Sequence, residues 1–461
     1  MEEDRLAWVA KLESRSREYD DARYLKKMSK TTIYKLPYDI VNVSGPSSTY
    51  APRMASFGPY HHGKPHLKPM EFHKERALYR IQARTQVPLS RFVYSLMQVE
   101  QQVRDSYCDI DPDMSSEAFL KMMLLDGCFM LELLLFDGRL LQSPSLNGGA
   151  EPAYASVGRE DFGSPSYILS RFDPIFSRHG KKHAFTLLRR DMLMLENQIP
   201  LLVLKRLLDA GKEGEVGNSV DLNRLITKFF DFPSFSMPDL GLHVLDVYRK
   251  CIIRRPEQSS NQHAPLPFPM GIDLIGGCAR SAKSLHEAGV KFRRSKRQSG
   301  LNIKFSRYGV LTLPFIKIDN HTAPVYMNLM AFERMHPEAG CQVTSYVAFM
   351  DDLIDTAEDV SLLSSNGIVR NDLGSDDAAA NLFNRVGDNI VLVDDSNDHT
   401  CQIKRQLKVY ASSAWNVWRA HLRHTYFNNP WSLLSLSAAI FLLALTIAQT
   451  LYSILSYYTR Y

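Results

Sequence analysis

The segment 349–360, FMDDLIDTAEDV, places carboxylates at Asp351, Asp352 and Asp355. On a continuous helix, residues four apart share a face, so Asp351 and Asp355 would stand together, as in helical enzymes that hold magnesium and a diphosphate. Downstream, NDLGSDDAA opens like a second magnesium motif with Asn371 and Ser375, but Ala379 stands where that motif needs a glutamate. Asn371 is only 20 residues beyond Asp351, too near for two helices facing each other across a deep pocket. The plainer reading is a solvated acidic helix face with Phe349, Leu353, Ile354 and Val360 turned inward. A second cluster is SFGPYHHGKPHLKP, residues 56–69, with His61, His62 and His66, followed by His73. Zinc needs three or four ligands converging at about 2 Å, usually from separate segments. Adjacent His61 and His62 point apart in extended chain, and no second Cys/His cluster follows. Gly58-Pro59 and Gly63-Lys64-Pro65 form turns, and Pro69 stiffens the start of a helix, so the stretch reads as a rigid loop whose rings pack against the body.

A third candidate is RRDMLMLENQIPLL, with Arg189, Arg190, Asp191, Glu196 and Asn197 in an apolar run. Such groups serve either catalysis or the backbone at a helix end beside a proline, and the second reading is preferred. Asp126, inside LLDGCFMLELLLF, needs a partner, for which Arg189 or Arg190 is the candidate. The basic run KFRRSKR, 291–297, reads as a solvated helix end, with an anionic-lipid contact or a nuclear signal as alternatives. The chain has no GxSxG elbow, P-loop, GxGxxG, HExxH or kinase signature. No enzyme activity, cofactor or metal is therefore expected, and the rival reading is an unrecognised enzyme using 351–359 or 191–197.

The elements that must position these residues are mainly helical. Apolar residues recur at helical spacing from Pro69 to Tyr107, with a break at Pro88. The stretch SSEAFLKMMLLDGCFMLELLLF, capped by serine, is apolar enough to lie deep in a core. Two helices meet near Ile199-Pro200, with Gly211 closing the second. Further helices are expected at 220–230, 242–253, 279–292, 345–363, 376–386 and 403–424. A small β-hairpin or sheet is expected near 301–318, where Leu301, Ile303 and Phe305, then Leu311, Leu313, Ile316 and Ile318, alternate with other residues, with a turn near Asp319-Asn320. Gly-, Ser- and Pro-rich stretches at 142–164 and 257–269 read as loops.

The 461 residues are 45% apolar and 23% charged, enough for a large core, and the net charge of +5 does not suggest nucleic-acid binding. Six scattered cysteines without a CxxC pair argue against a zinc ribbon or disulfide scaffold. The charged N-terminus, 1–30, reads as an exposed helix and not a secretory signal. From Trp431 to Thr459 no residue is charged. The core from Leu433 to Leu455 would reach ~34 Å as a helix, enough to cross a bilayer. Trp431 marks one interface and Tyr457 and Tyr458 the other, while Arg419 and Arg423 flank the N-terminal side. The expected layout is an N-terminal helix at 1–30, a body at 31–428 and a membrane helix at 431–458. The basic flank puts the body in the cytosol as a single-pass, tail-anchored protein of the plasma membrane or an endomembrane. The sequons at Asn42 and Asn320 would then go unused.

Six stretches occur in order: IYKLPYDI, YAPRMASFGPYHHGKPHLKPMEFHKERAL, LLDGCFMLELL, RRDMLMLENQIPLLVL, LTLPFIKIDNHTAPVYMNLMAFE and YVAFMDDLIDTAEDVSLLSSNGIV. With the C-terminal apolar helix, the chain resembles the plant-specific family called domain of unknown function 247, also labelled uncharacterised protein family 0481. The resemblance implies a membrane-associated plant protein with no established activity and no established site residues. It also implies kinship with grass proteins implicated in pollen-side self-incompatibility. The function expected is protein interaction, recognition or signalling, with other proteins or a second copy as partners.

Overall fold

The computed structural model describes residues 9, 12, 20–43, 49–140, 173–211, 221–233, 237, 239–253, 281–296, 300–388, 390, 399–412 and 430–458. It is mostly helical, with a few short strands, as the hydrophobic periodicity predicts. The chain forms two compact units, 1–254 with 320–344, and 255–319 with 345–461. Of the N-terminal helix expected at 1–30, α1 (Asp21–Met28) falls in the described part.

The first unit contains α2 (Tyr38–Val43), α3 (Pro69–Thr85), α4 (Leu89–Met97) and α5 (Glu100–Asp105). The expected break at Pro88 is present. Gln86 turns left-handed at φ 56° to close α3, and Pro88 caps α4. The centre of the unit is α6 (Ser116–Leu140), whose residues from Phe119 to Leu134 are all buried except Lys121. Ser115 Oγ accepts from the Ala118 N–H at its start. Against α6 pack α3, α4, α8 (Leu201–Ala210) and α9 (Leu222–Phe229). Gly127 makes the α6–α8 crossing close: a Cβ there would lie 2.5 Å from Leu207 Cδ1. The unit also holds α7 (Arg178–Asp191), α10 (Val244–Ile253) and, after the chain leaves and returns, α12 (Thr322–Met335).

The second unit contains α11 (Ala282–Glu287), β1 (Lys291–Arg294), β2 (Lys304–Ser306), β3 (Val310–Leu313) and β4 (Ile316–Ile318). The helix expected over 279–292 is shorter. Gly289, at φ +90°, ends it, and the first four residues of the basic run, KFRR, are strand and not helix end. The expected hairpin exists as β2–β3, with β1 added in parallel beside β3. Pro314, which has no N–H to continue a ladder, separates β4, which pairs in parallel with β5 (Val369–Asn371) in a second sheet.

The single helix expected at 345–363 is two, α13 (Gln342–Leu353) and α14 (Ala357–Ser365). The buried Asp359 carboxylate causes the break: it accepts from the Asp355 and Thr356 N–H groups at 3.3 and 3.0 Å, starting a new helix there. The unit continues through α15 (Asp376–Gly387) and α16 (His399–Ser412). The last element, α17 (Pro430–Tyr458), carries the apolar run. The expected helix at 403–424 is seen to Ser412; Arg419 and Arg423 lie outside the described residues.

Candidate functional site

The residues around Asp191 are the most organised polar group in the first unit. Asp191 is fully buried at the end of α7, where its two oxygens accept from the backbone N–H groups of Arg53, Met54 and Ala55 at 2.6–3.1 Å. Arg190 donates to Asp191 Oδ1 at 2.9 Å and to the Ala51 carbonyl at 3.2 Å. Burial pushes the Asp191 carboxyl up, while the three N–H groups and Arg190 pull it down. Asn197 accepts from the Phe57 N–H and donates to the Ala55 and Asp191 carbonyls. Gln198 donates to the Met192 and Met194 carbonyls and accepts from the Leu245 N–H. Two apolar turns without regular helix, 192–200, are thereby held open by side-chain amides in place of the missing backbone ladder.

The loop 51–58 is gripped from its other side by α3 and α6. Asp126 accepts from the Gly58 N–H at 2.8 Å and pairs with Lys74 at 2.6 Å. Lys74 also reaches Glu71 at 2.7 Å and Ser56 Oγ at 3.0 Å. Burial works against the Lys74 ammonium, but Asp126 and Glu71 outweigh it and hold its pKa above the usual lysine range. The partner of Asp126 is therefore Lys74 and neither arginine: Arg190 is committed to Asp191, and Arg189 pairs with Asp231. Lys74 carries a legible signal. It occupies the buried stripe Met70, Ala77, Leu78 and Ile81 of α3, where an unpaired ammonium is prohibitively costly.

The histidines separate. His61 is buried, with Nε2 3.2 Å from Glu196 Oε2 as an ion-pair contact and Nδ1 2.7 Å from Lys64 Nζ. Glu196 also accepts from the Leu36 N–H at 2.7 Å. Burial works to raise Glu196, but His61, the Leu36 N–H and Lys64 outweigh it and hold it below the usual carboxylate range. His62 is exposed, His66 contacts the Pro52 carbonyl, and His73 lies against Arg76. Among the described residues no three His, Cys, Asp or Glu side chains converge as a metal site.

Two residues in the fifth of the ordered stretches complete the first unit, and sequence reasoning missed both. Asn328 accepts from the Leu195 N–H and donates to the Thr49 and Pro324 carbonyls. Glu333 accepts from Arg249, the Val343 and Thr344 N–H groups and Thr344 Oγ1. Their signal was again a polar group inside an apolar helical run.

In the second unit the acidic motif is dispersed. Asp351 and Asp352 lie on the last turn of α13, but Asp355 falls beyond its end, so the three share no helix face. Asp352 pairs with Lys404. Asp351 is packed against Gly387, where a Cβ would lie 2.2 Å from its carboxylate, and burial with Asp352 and Asp388 pushes its pKa up to about 6. Ser375 caps α15 through the Ala378 N–H, and Asn371 bonds the Ser375 carbonyl and Asp376. Asp351 and Ser375 thus sit at opposite ends of α15, ~18 Å apart along its axis. An open groove is lined by Val369, Arg370, Asn371, Gly374, Ser375 and Asp376, at the end away from Asp351.

Residues from five of the six ordered stretches thus meet in one buried network. The profile of a plant protein family of unknown function, DUF247, matches residues 33–445. The chain belongs to that family. Two UPF0481 proteins of Arabidopsis thaliana are similar to it. One is 28% identical over 450 residues, covering 92% of this chain and 86% of the relative. The other, named as putative, is 24% identical over 525 residues, covering 93% and 91%. No solved structure matches the chain.

The last helix, α17, is apolar along its length. Its segment Ser437–Leu455 is long and apolar enough to cross a membrane, and none of it is buried within the fold. Phe441 and Leu442 are 65% and 63% exposed. Trp431, Tyr457 and Tyr458 fall in its end turns.

Proposed function

We propose that this family member is a membrane-tethered protein-interaction component, with α17 as a single-pass anchor and the body in the cytosol, and that it is not an enzyme. The observation that carries the reading is the unburied apolar length of α17. Support comes also from the fate of the candidate catalytic groups. Asp191, Glu196 and Asn197 are saturated by loop backbone and neighbouring side chains, which leaves them a structural role. The partners are other proteins, including a second copy of the chain. Recognition or signalling at a membrane, such as the pollen-side role that the resemblance implies for grass relatives, suits such a tethered surface.

Carbonate extraction and protease protection test it on the full chain and on a version ending before Trp431. The full chain resists extraction with its body cleaved from the cytosolic side, and the shorter one is released. Protection of the body with glycans on Asn42 or Asn320 overturns the orientation, and release of both versions overturns the anchor. An enzyme would lose all activity on Asp351→Ala with its fold intact; an interaction protein tolerates that change.

A further inference from the structure

The three-stranded sheet of the second unit carries charge that neither the anchor nor the buried network uses. From Ala288 to Ile318 the chain has eight basic residues and no Asp or Glu. Strand register sorts them. Arg293 and Lys304 both lie opposite Thr312 of the central strand β3, and Lys291 lies two residues back from Arg293 on the same face. All three are exposed, while Phe292, Leu311 and Leu313 are buried on the reverse. Among the described residues, Lys291, Arg293 and Lys304 have no carboxylate partner. Lys317, on the other sheet, by contrast pairs with Asp319 and Asp372. Three like charges on one face, with no carboxylate paired to them among the described residues, repel one another, so an anionic partner is favoured there.

Two more observations select the partner. At the β2–β3 turn Tyr308 is 70% exposed, with the Arg307 guanidinium 5.0 Å above its ring and bonded to its hydroxyl. An exposed tyrosine among basic residues suits the headgroup layer, where an amphipathic ring has both apolar and wet surroundings. The same hairpin is held by α16: Tyr410 meets the Phe305 ring edge-on at 5.5 Å and crowds Gly309. From Ser412, the end of α16, the chain reaches Pro430 in 18 steps, which caps the distance at ~60 Å. A bilayer crossed by α17 is thus always within the sheet's reach, at high effective concentration.

We propose that the outer face of the β1–β3–β2 sheet, with Tyr308 at its tip, docks on anionic lipid headgroups of the bilayer that α17 crosses. The inference rests on the anchor reading above. Each basic residue near an anionic leaflet strengthens attachment about fivefold, and the effect fades within a Debye length. Lys291, Arg293, Lys304 and Arg307 together make a contact that neutral lipid does not offer.

The test uses the full chain in vesicles of phosphatidylcholine, with or without about 30% phosphatidylglycerol, which has no amine of its own. A membrane-impermeant acetylating reagent and mass spectrometry read each lysine. Lys291 and Lys304 acetylate at least ~5-fold more slowly with phosphatidylglycerol, Lys121 on α6 is unchanged, and about 1 M NaCl abolishes the difference. The variant R293E/R307E, which keeps both reporter lysines, loses the slowing. Equal rates in the two vesicles, with the chain resistant to carbonate, overturn the docking surface and leave the anchor standing. A chain extracted by carbonate overturns the anchor, and the lysine rates of the vesicle-bound fraction still decide the sheet. Slowing by added RNA or DNA but not by phosphatidylglycerol overturns the lipid assignment in favour of a nucleic-acid surface.

Discussion

Asp191→Asn separates a structural carboxylate from a catalytic one. In the native loop Oδ2 accepts from three successive backbone N–H groups, while Oδ1 takes Arg190. An asparagine must turn its NH2 toward one of those two sets. Either the buried guanidinium or the backbone donors then face another donor. Arg190 is 2% exposed, so it cannot recover the loss from water. Leaving one member of a buried pair uncompensated costs about 3–5 kcal/mol. For a unit of this size, each kcal/mol lowers the melting temperature by roughly 2–4 °C, so the first unit melts about 10 °C lower. Calorimetry of the full chain reads the transition, and hydrogen exchange of the 51–58 peptide assigns it to the loop. A melting temperature within about 2 °C of the parent, with unchanged exchange in 51–58, would refute the reasoning. That result, joined to loss of a biological readout, is what a catalytic Asp191 would give.

Gly58→Ala destabilises the same unit by about 2–4 kcal/mol, because φ is +77° there and a Cβ would lie 2.6 Å from the Gln198 carbonyl oxygen; an unshifted denaturant midpoint would count against the close packing. Lys74→Met alone costs about 3–5 kcal/mol by stranding Asp126, whereas Lys74→Met with Asp126→Leu recovers most of it; additive losses in the double-mutant cycle would remove the pair from the account. The folded Asp351 carboxyl holds its proton up to about pH 6, above its unfolded value of 3.8. Its contribution to the second unit is therefore complete below about pH 4 and lost as pH rises through about 6. Asp351→Asn flattens that slope, and a pH titration of thermal stability that is identical in parent and variant would deny the shift.

Much was written in local pattern. The broken helix at Pro88, the serine-capped α6, the strands near 301–318 and the apolar span at the C-terminus follow from proline chemistry, capping and periodicity, which act within a few residues. The turns of the histidine loop were also legible, since Gly58 and Gly63 take the positive φ their neighbours cannot, although His62 is exposed and not packed. Tertiary structure alone decided who answers each buried charge. Asp126 takes Lys74, 52 residues earlier, because α3 crosses α6 there, and adjacency of Arg189 and Arg190 to other polar groups in sequence misled. It likewise decided that Asp355 leaves its helix, since Asp359 found the Thr356 N–H, and that KFRR is strand, since β3 was available to pair. Local propensity sets which conformations are cheap; burial of a charge or an unpaired backbone group costs several kcal/mol, and only the assembled fold determines which groups are buried.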